Sequence, residues 1–180
     1  NLEELIDLVA GFTCPVLPAG NKVGLLVEAG GGAVSGADAA ETQGLDVPVL
    51  SAEIQKELAD QLKGVIPPHS SPRNPVDLVW TPAANKSDVY LQCARIMLKD
   101  DIDAAVIVAY AELDDYFATE LVNLRDNAGK PVFVIPGHSS EQRGGISLLT
   151  KNGIPAFSIP ERAIKTLSAM VRYSDYRRQS

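Results

Sequence analysis

Val23-Gly24-Leu25-Leu26-Val27-Glu28-Ala29-Gly30-Gly31-Gly32-Ala33-Val34-Ser35 is an apolar run that stops at three glycines and resumes as an alanine-rich helical pattern. It reads as strand, bare loop, helix. Glycines let a backbone approach a ligand closely, and the first N–H groups of a helix lack intrahelical acceptors, so a phosphate or carboxylate is the first ligand to consider. The stretch matches neither the spaced glycines of a dinucleotide loop nor the phosphate loop that ends in Gly-Lys-Ser/Thr. A plain strand-to-helix turn fits it equally well.

Outward from this stretch the pattern is regular. Leu2, Leu5, Ile6 and Val9 share one helix face, and Thr13 to Gly20, with two prolines, is a connector. Strand Lys22 to Val27 precedes the glycines, and a helix is expected from about Ala33 to Gln43. A second helix, capped by Ser51, runs to about Lys63. Asn74-Pro75-Val76-Asp77-Leu78-Val79-Trp80 reads as extended because prolines forbid a helix there. Helix Lys86 to Leu98, strand Ala104 to Tyr110, helix Tyr116 to Asn127, strand Val132 to Ile135, helix Glu141 to Lys151, strand Ala156 to Ile159 and helix Arg162 to Tyr173 follow. Strands that are almost wholly apolar and alternate with helices imply a parallel sheet covered on both faces. The expected fold is doubly wound α/β with about five parallel strands, residues 1–20 forming a leading helix and linker and 21–180 the domain.

The composition, 46% hydrophobic and 22% charged over 180 residues, is that of a globular domain able to bury a core. A net charge of -7 excludes the electrostatic footprint of a nucleic-acid or anionic-membrane binder. The only locally basic stretch, Arg172 to Arg178, lies at a helix C-terminus, where cations have a structural role. Cys14 and Cys93 are far apart and show no metal-ligand spacing, so no metal site is expected and a reducing, cytoplasmic setting fits. No apolar run reaches the ~20 residues of a membrane span. The chain opens at Asn1 already inside a helical pattern, as a segment of a longer protein would.

In a doubly wound sheet, function collects at the carboxyl ends of the strands. There the sequence places Gly30 to Gly32, Asp77 to Trp80, Glu112 with Asp114, and Pro136 to Ser140, including His138 and Ser139. Each has a plain alternative: Asp77 as a local turn or cap residue, Glu112, Asp114 and Asp115 as helix-start acids, His138 as a surface residue. His69 lies in an irregular connector. Neither histidine stands in a nucleophile-base pattern.

Five segments in order carry a resemblance that covers almost the whole chain: Val27 to Val34 with Ala37-Asp38-Ala39-Ala40; Asn74-Pro75-Val76-Asp77; Asp103 to Val108; Lys130-Pro131-Val132; and Asn152 to Phe157 with Pro160-Glu161-Arg162-Ala163. Together they resemble the later of two flavodoxin-like modules of the NDP-forming acyl-CoA synthetases, relatives of succinyl-CoA synthetase. The resemblance implies a three-layer sandwich within an oligomeric ligase. That enzyme interconverts acid, CoA and ATP with acyl-CoA, ADP and phosphate through an acyl phosphate and a phosphohistidine.

By the same resemblance, sister domains or subunits hold the CoA-binding, phosphohistidine and ATP-grasp parts, and the whole enzyme uses ATP/ADP, CoA and Mg. This domain alone holds no cofactor and no catalytic residue, and is inactive in isolation. Its implied part is a helix start at Gly30, Gly31, Gly32, Ala33 and Val34 facing the phosphorylated histidine, with Glu28, Asn74, Asp77, His138 and Ser139 at the site edge. The family's Thr-Asn before the glycines is here Val27-Glu28. A carboxylate there opposes phosphate unless Glu28 points away, pairs with a cation such as Arg73 or Arg143, or is protonated. A non-catalytic assembly module and an FMN-binding flavodoxin-like protein are the alternative readings.

Overall fold

A computed structural model describes residues 1–64, 70–79, 86–109, 113–137 and 143–180. Helix α1 spans Leu2–Gly11, strand β1 Val23–Val27, helix α2 Gly30–Thr42, α3 Ala52–Leu62, β2 Val76–Asp77, α4 Lys86–Met97, β3 Ala104–Ala109, α5 Asp115–Ala128, β4 Val132–Pro136, α6 Arg143–Lys151 and α7 Pro160–Gln179. The four strands are parallel in the order β2-β1-β3-β4. The fifth position is reduced to one bridge, Val134 to Ala156, flanked by bonds from Val134 N–H to the Pro155 carbonyl and from Phe157 N–H to the Val134 carbonyl. Pro155 has no N–H to extend the ladder, which keeps this segment short.

Every residue of β1 and β3 is buried, as both faces of the sheet are covered. One apolar cluster joins Leu26, Ala105, Ile107, Val132 and Val134 to α3, α4, α5 and α6. The opposite cluster joins Val23, Leu25, Val27, Val106, Phe133 and Ile135 to α2 and α7. Phe133 and Phe157 meet there at a centroid distance of 5.2 Å. The alternation of side chains along each strand thus separates two cores. Glycines set the spacing at two places. A Cβ on Gly24 would meet Ile102 Cδ1 at 2.7 Å, and one on Gly145 would overlap the Leu113 carbonyl oxygen.

The outer side of β1 is completed by three different partners. Val23 N–H donates to the Asp46 carbonyl (2.7 Å). The buried Asn74 side chain then stands in for a strand: Leu25 N–H donates to its Oδ1 (2.8 Å), and its Nδ2 donates to the Val23 carbonyl (2.7 Å). Beyond it β2 pairs Leu26 with Val76 and Val27 with Asp77.

Three expectations change. The helix after β1 begins at Gly30, not near Ala33, so the glycines form its first turn and not a separate loop. The apolar face of α1 is exposed: Leu2, Leu5, Ile6 and Val9 look outward while the helix lies on α7. The last helix also runs further than its apolar pattern, to Gln179.

Candidate anion-binding site

The carboxyl end of β1 delivers the chain to α2 at the crevice between β1 and β3, the switch point of this strand order. Ala29 is the N-cap in extended conformation (φ -148°, ψ 139°) and offers no side-chain cap. Its carbonyl accepts from Gly32 N–H (3.0 Å) and Ala33 N–H (3.3 Å). Among the described residues, the N–H groups of Gly30 and Gly31 have no acceptor, and both residues are exposed. These two amides, with the positive end of the helix dipole behind them, are what α2 presents to an anion. Ala33 N–H is spent on Ala29, and Val34 lies one residue further into the helical ladder, with its side chain exposed.

The packing among the described residues gives no reason for the glycines. None of Gly30, Gly31 and Gly32 has a positive φ. A Cβ on Gly31 would meet nothing within 4 Å, one on Gly30 only Asp77 Oδ2 at 3.7 Å, and one on Gly32 an ordinary contact with Val108 Cγ1 at 3.5 Å. Glycine in a helix costs about 0.8–1 kcal/mol relative to alanine. A bare first turn is what close approach from outside the chain requires.

Asp77 is beside this turn. Its Oδ1 accepts from Val79 N–H (2.8 Å), the local role that the sequence allowed, while Oδ2 lies toward Gly30. A carboxylate there favours the helix dipole and opposes a second anion. Asn74 is expected at the site edge, yet its amide is committed to β1, which makes it a sheet residue. Asp114 caps α5 by accepting from Phe117 N–H (2.7 Å). His138 and Ser139, with His69, Trp80 and Glu112, lie outside the described residues.

Glu28 is fully buried and belongs to a cluster that the sequence reading missed. Lys86 Nζ pairs with its Oε1 at 3.0 Å, and the Tyr90 hydroxyl lies 3.2 Å from both its Oε2 and the Val108 carbonyl. The partner is thus Lys86 and not Arg73, and the side chain of Arg143 is not described. Both partners stand on α4, across the sheet from α2, so this charge is neutralised away from the glycine turn. Lys86 and Tyr90 are four residues apart on one helix, the spacing that could have signalled a shared face.

Among the described residues no group of three His, Cys, Asp or Glu could hold a metal ion. Among the described residues, surface grooves lie between α1 and α7 and around the C-terminal end of α2.

No protein-family model matches the chain. It is similar to the α subunit of acetate–CoA ligase (ADP-forming) II of Pyrococcus furiosus, 29% identical over 181 residues that cover 95% of this chain and 37% of that subunit. The α subunit of ligase I of the same organism is 34% identical over 166 residues, covering 89% of this chain and 34% of that subunit. Among solved structures, the dinucleotide-forming acetyl-coenzyme A synthetase 1 of Ca. Korarchaeum cryptofilum, in complex with phosphate and ADP, superposes with a TM-score of 0.75 at 25% identity. The match covers 98% of this chain and 38% of that one. The chain spans about a third of the length of each of these three proteins.

Proposed function

Because this chain is a homologous segment of the ADP-forming acyl-CoA ligases, we propose that it is one module of an enzyme that converts acid, CoA and ATP to acyl-CoA, ADP and phosphate. A phosphoryl group passes from ATP to a histidine of a sister module and then to the acid. The CoA thiolate displaces phosphate from the resulting acyl phosphate. The part of this module is electrostatic. Gly30 and Gly31 direct their N–H groups at the transferring phosphoryl and hold its negative charge without exchanging a proton. A helix terminus contributes about 0.3–2 kcal/mol to such a contact.

The observation that carries this reading is the start of α2: two amides without acceptors on a glycine turn, neither explained by packing among the described residues. In this reading ATP, CoA and Mg are held by the parts of the enzyme outside residues 1–180. Acetate is the acid to try first, as it is the one in the names of the two Pyrococcus furiosus relatives.

The test is Gly31→Val in the complete enzyme. The expected result is at least a ten-fold loss of phosphohistidine formation from labelled ATP, with unchanged circular dichroism. Full phosphorylation in that variant would sink the idea and favour the assembly-module reading, which expects normal phosphorylation and weakened association.

A further inference from the structure

Helix α1 is inverted relative to an ordinary surface helix. Leu2, Leu5, Ile6 and Val9, at the i, i+3, i+4, i+7 spacing of a packing stripe, are 56–72% exposed. The opposite side, which carries Glu4, Asp7 and Gly11, faces α7. Asp7 takes both nitrogens of a bidentate Arg162 fork at 2.7 Å, and Glu4 pairs with Lys165. Gly11 lies so close to Thr166 that a Cβ there would overlap its methyl group. These contacts hold the orientation, because rolling the stripe inward would strip two carboxylates of their cations. Phe12 continues the apolar surface and meets Tyr173 of α7 edge-on at 5.4 Å.

The stripe with Phe12 exposes on the order of 500 Å² of apolar surface, at the upper end of what a monomer leaves open. Two such faces amount to about 1,000 Å², the size of an interface between domains of one chain.

We propose that the outward face of α1 is the seat on which this module docks against the rest of its enzyme, an uncharged apolar surface outside residues 1–180. The inference rests on the synthetase reading for the identity of that enzyme. Two observations select the occupant. The two Pyrococcus furiosus α subunits each carry roughly twice as much polypeptide again beyond the matched region, which linkage or subunit assembly brings to high local concentration. A second copy of this chain is disfavoured by charge: the net charge is -7, and α1 contributes the exposed Glu3 and no basic residue. The stripe itself carries no charge, so its partner must be apolar.

In the complete enzyme, p-benzoylphenylalanine in place of Ile6 is irradiated and the crosslinked peptides are identified by mass spectrometry. The same group in place of Asp60, an exposed residue of α3, is the control. The expected result is several-fold more crosslinking from position 6 than from position 60, to apolar segments outside residues 1–180. Crosslinks confined to residues 1–180 of an isotopically labelled second copy, or no excess over the control, would overturn the proposal.

A second measurement uses the pair Leu5→Ser and Val9→Ser. It should leave the melting midpoint of the 180-residue chain in place and lower that of the complete enzyme; no change in either overturns the docking. Acetate- and CoA-dependent ADP formation is assayed in parallel on the unsubstituted enzyme. Its absence would remove the synthetase reading, while the crosslinks judge the docking face by themselves.

Discussion

A carboxylate as deeply buried as Glu28 is tolerable only while its charge is answered, and Lys86 and Tyr90 answer it. Lys86→Met leaves the carboxylate short of its cation and should cost about 1–3 kcal/mol, read from a urea unfolding curve. Adding Glu28→Gln should recover most of that loss, because the amide carries no charge to compensate. Failure to recover would show that Lys86 contributes through its packing. The two thiols give a second residue-scale check. Burial pushes the Cys93 thiol up to about 12 and raises that of Cys14. Neither should react with Ellman's reagent at about pH 8 in the native chain, and both should react once it is unfolded. Rapid native labelling would contradict the packing around α4.

Among the elements, α2 and α6 start with glycines of opposite character. Gly145 is required by contact with the Leu113 backbone, so Gly145→Ala should destabilise by about 3 kcal/mol. Gly31 opens on empty space, so Gly31→Ala should raise stability by up to about 1 kcal/mol. Helix α1 has a pH-dependent attachment. The hydrogen bond from Lys165 lowers the Glu4 carboxyl below its ordinary value of 4.5. A lowered carboxyl contributes stability above its unfolded pKa and loses it as pH falls through the folded one. The difference in melting midpoint between the unsubstituted chain and Glu4→Gln should therefore be present near pH 6 and shrink as pH falls below the ordinary carboxylate value. A difference that does not shrink as pH falls would refute this attachment.

Periodicity in the sequence was enough for most elements, because buried parallel strands are apolar runs and helices repeat every 3.6 residues. It misplaced the start of α2, since glycine propensity argues against helix. The helix nevertheless starts at Gly30, and further along it Gly36 seats closely on the sheet, where a Cβ would come within 3.2 Å of Leu25 Cδ1. The direction of the α1 stripe was not legible. A repeat fixes which residues share a face, but here cations more than 150 residues away decide where that face points. The Lys86 partner of Glu28 was hidden for the same reason.

At the scale of the whole molecule, the division of labour proposed above has a direct consequence for activity. The 180-residue chain should form no ADP from ATP with acetate and CoA, and the complete enzyme should; turnover by the chain alone would place a catalytic group within it. The sheet itself carries a further consequence. Its margins are β2, two residues long, and β4, whose outer side carries a single bridge from Val134 to Ala156, while the strands β1 and β3 lie inside. Asn74 closes the stretch of β1 that β2 is too short to cover. Among the described residues a foreign strand would find little open ladder beside β2, so that margin is guarded against edge-to-edge growth.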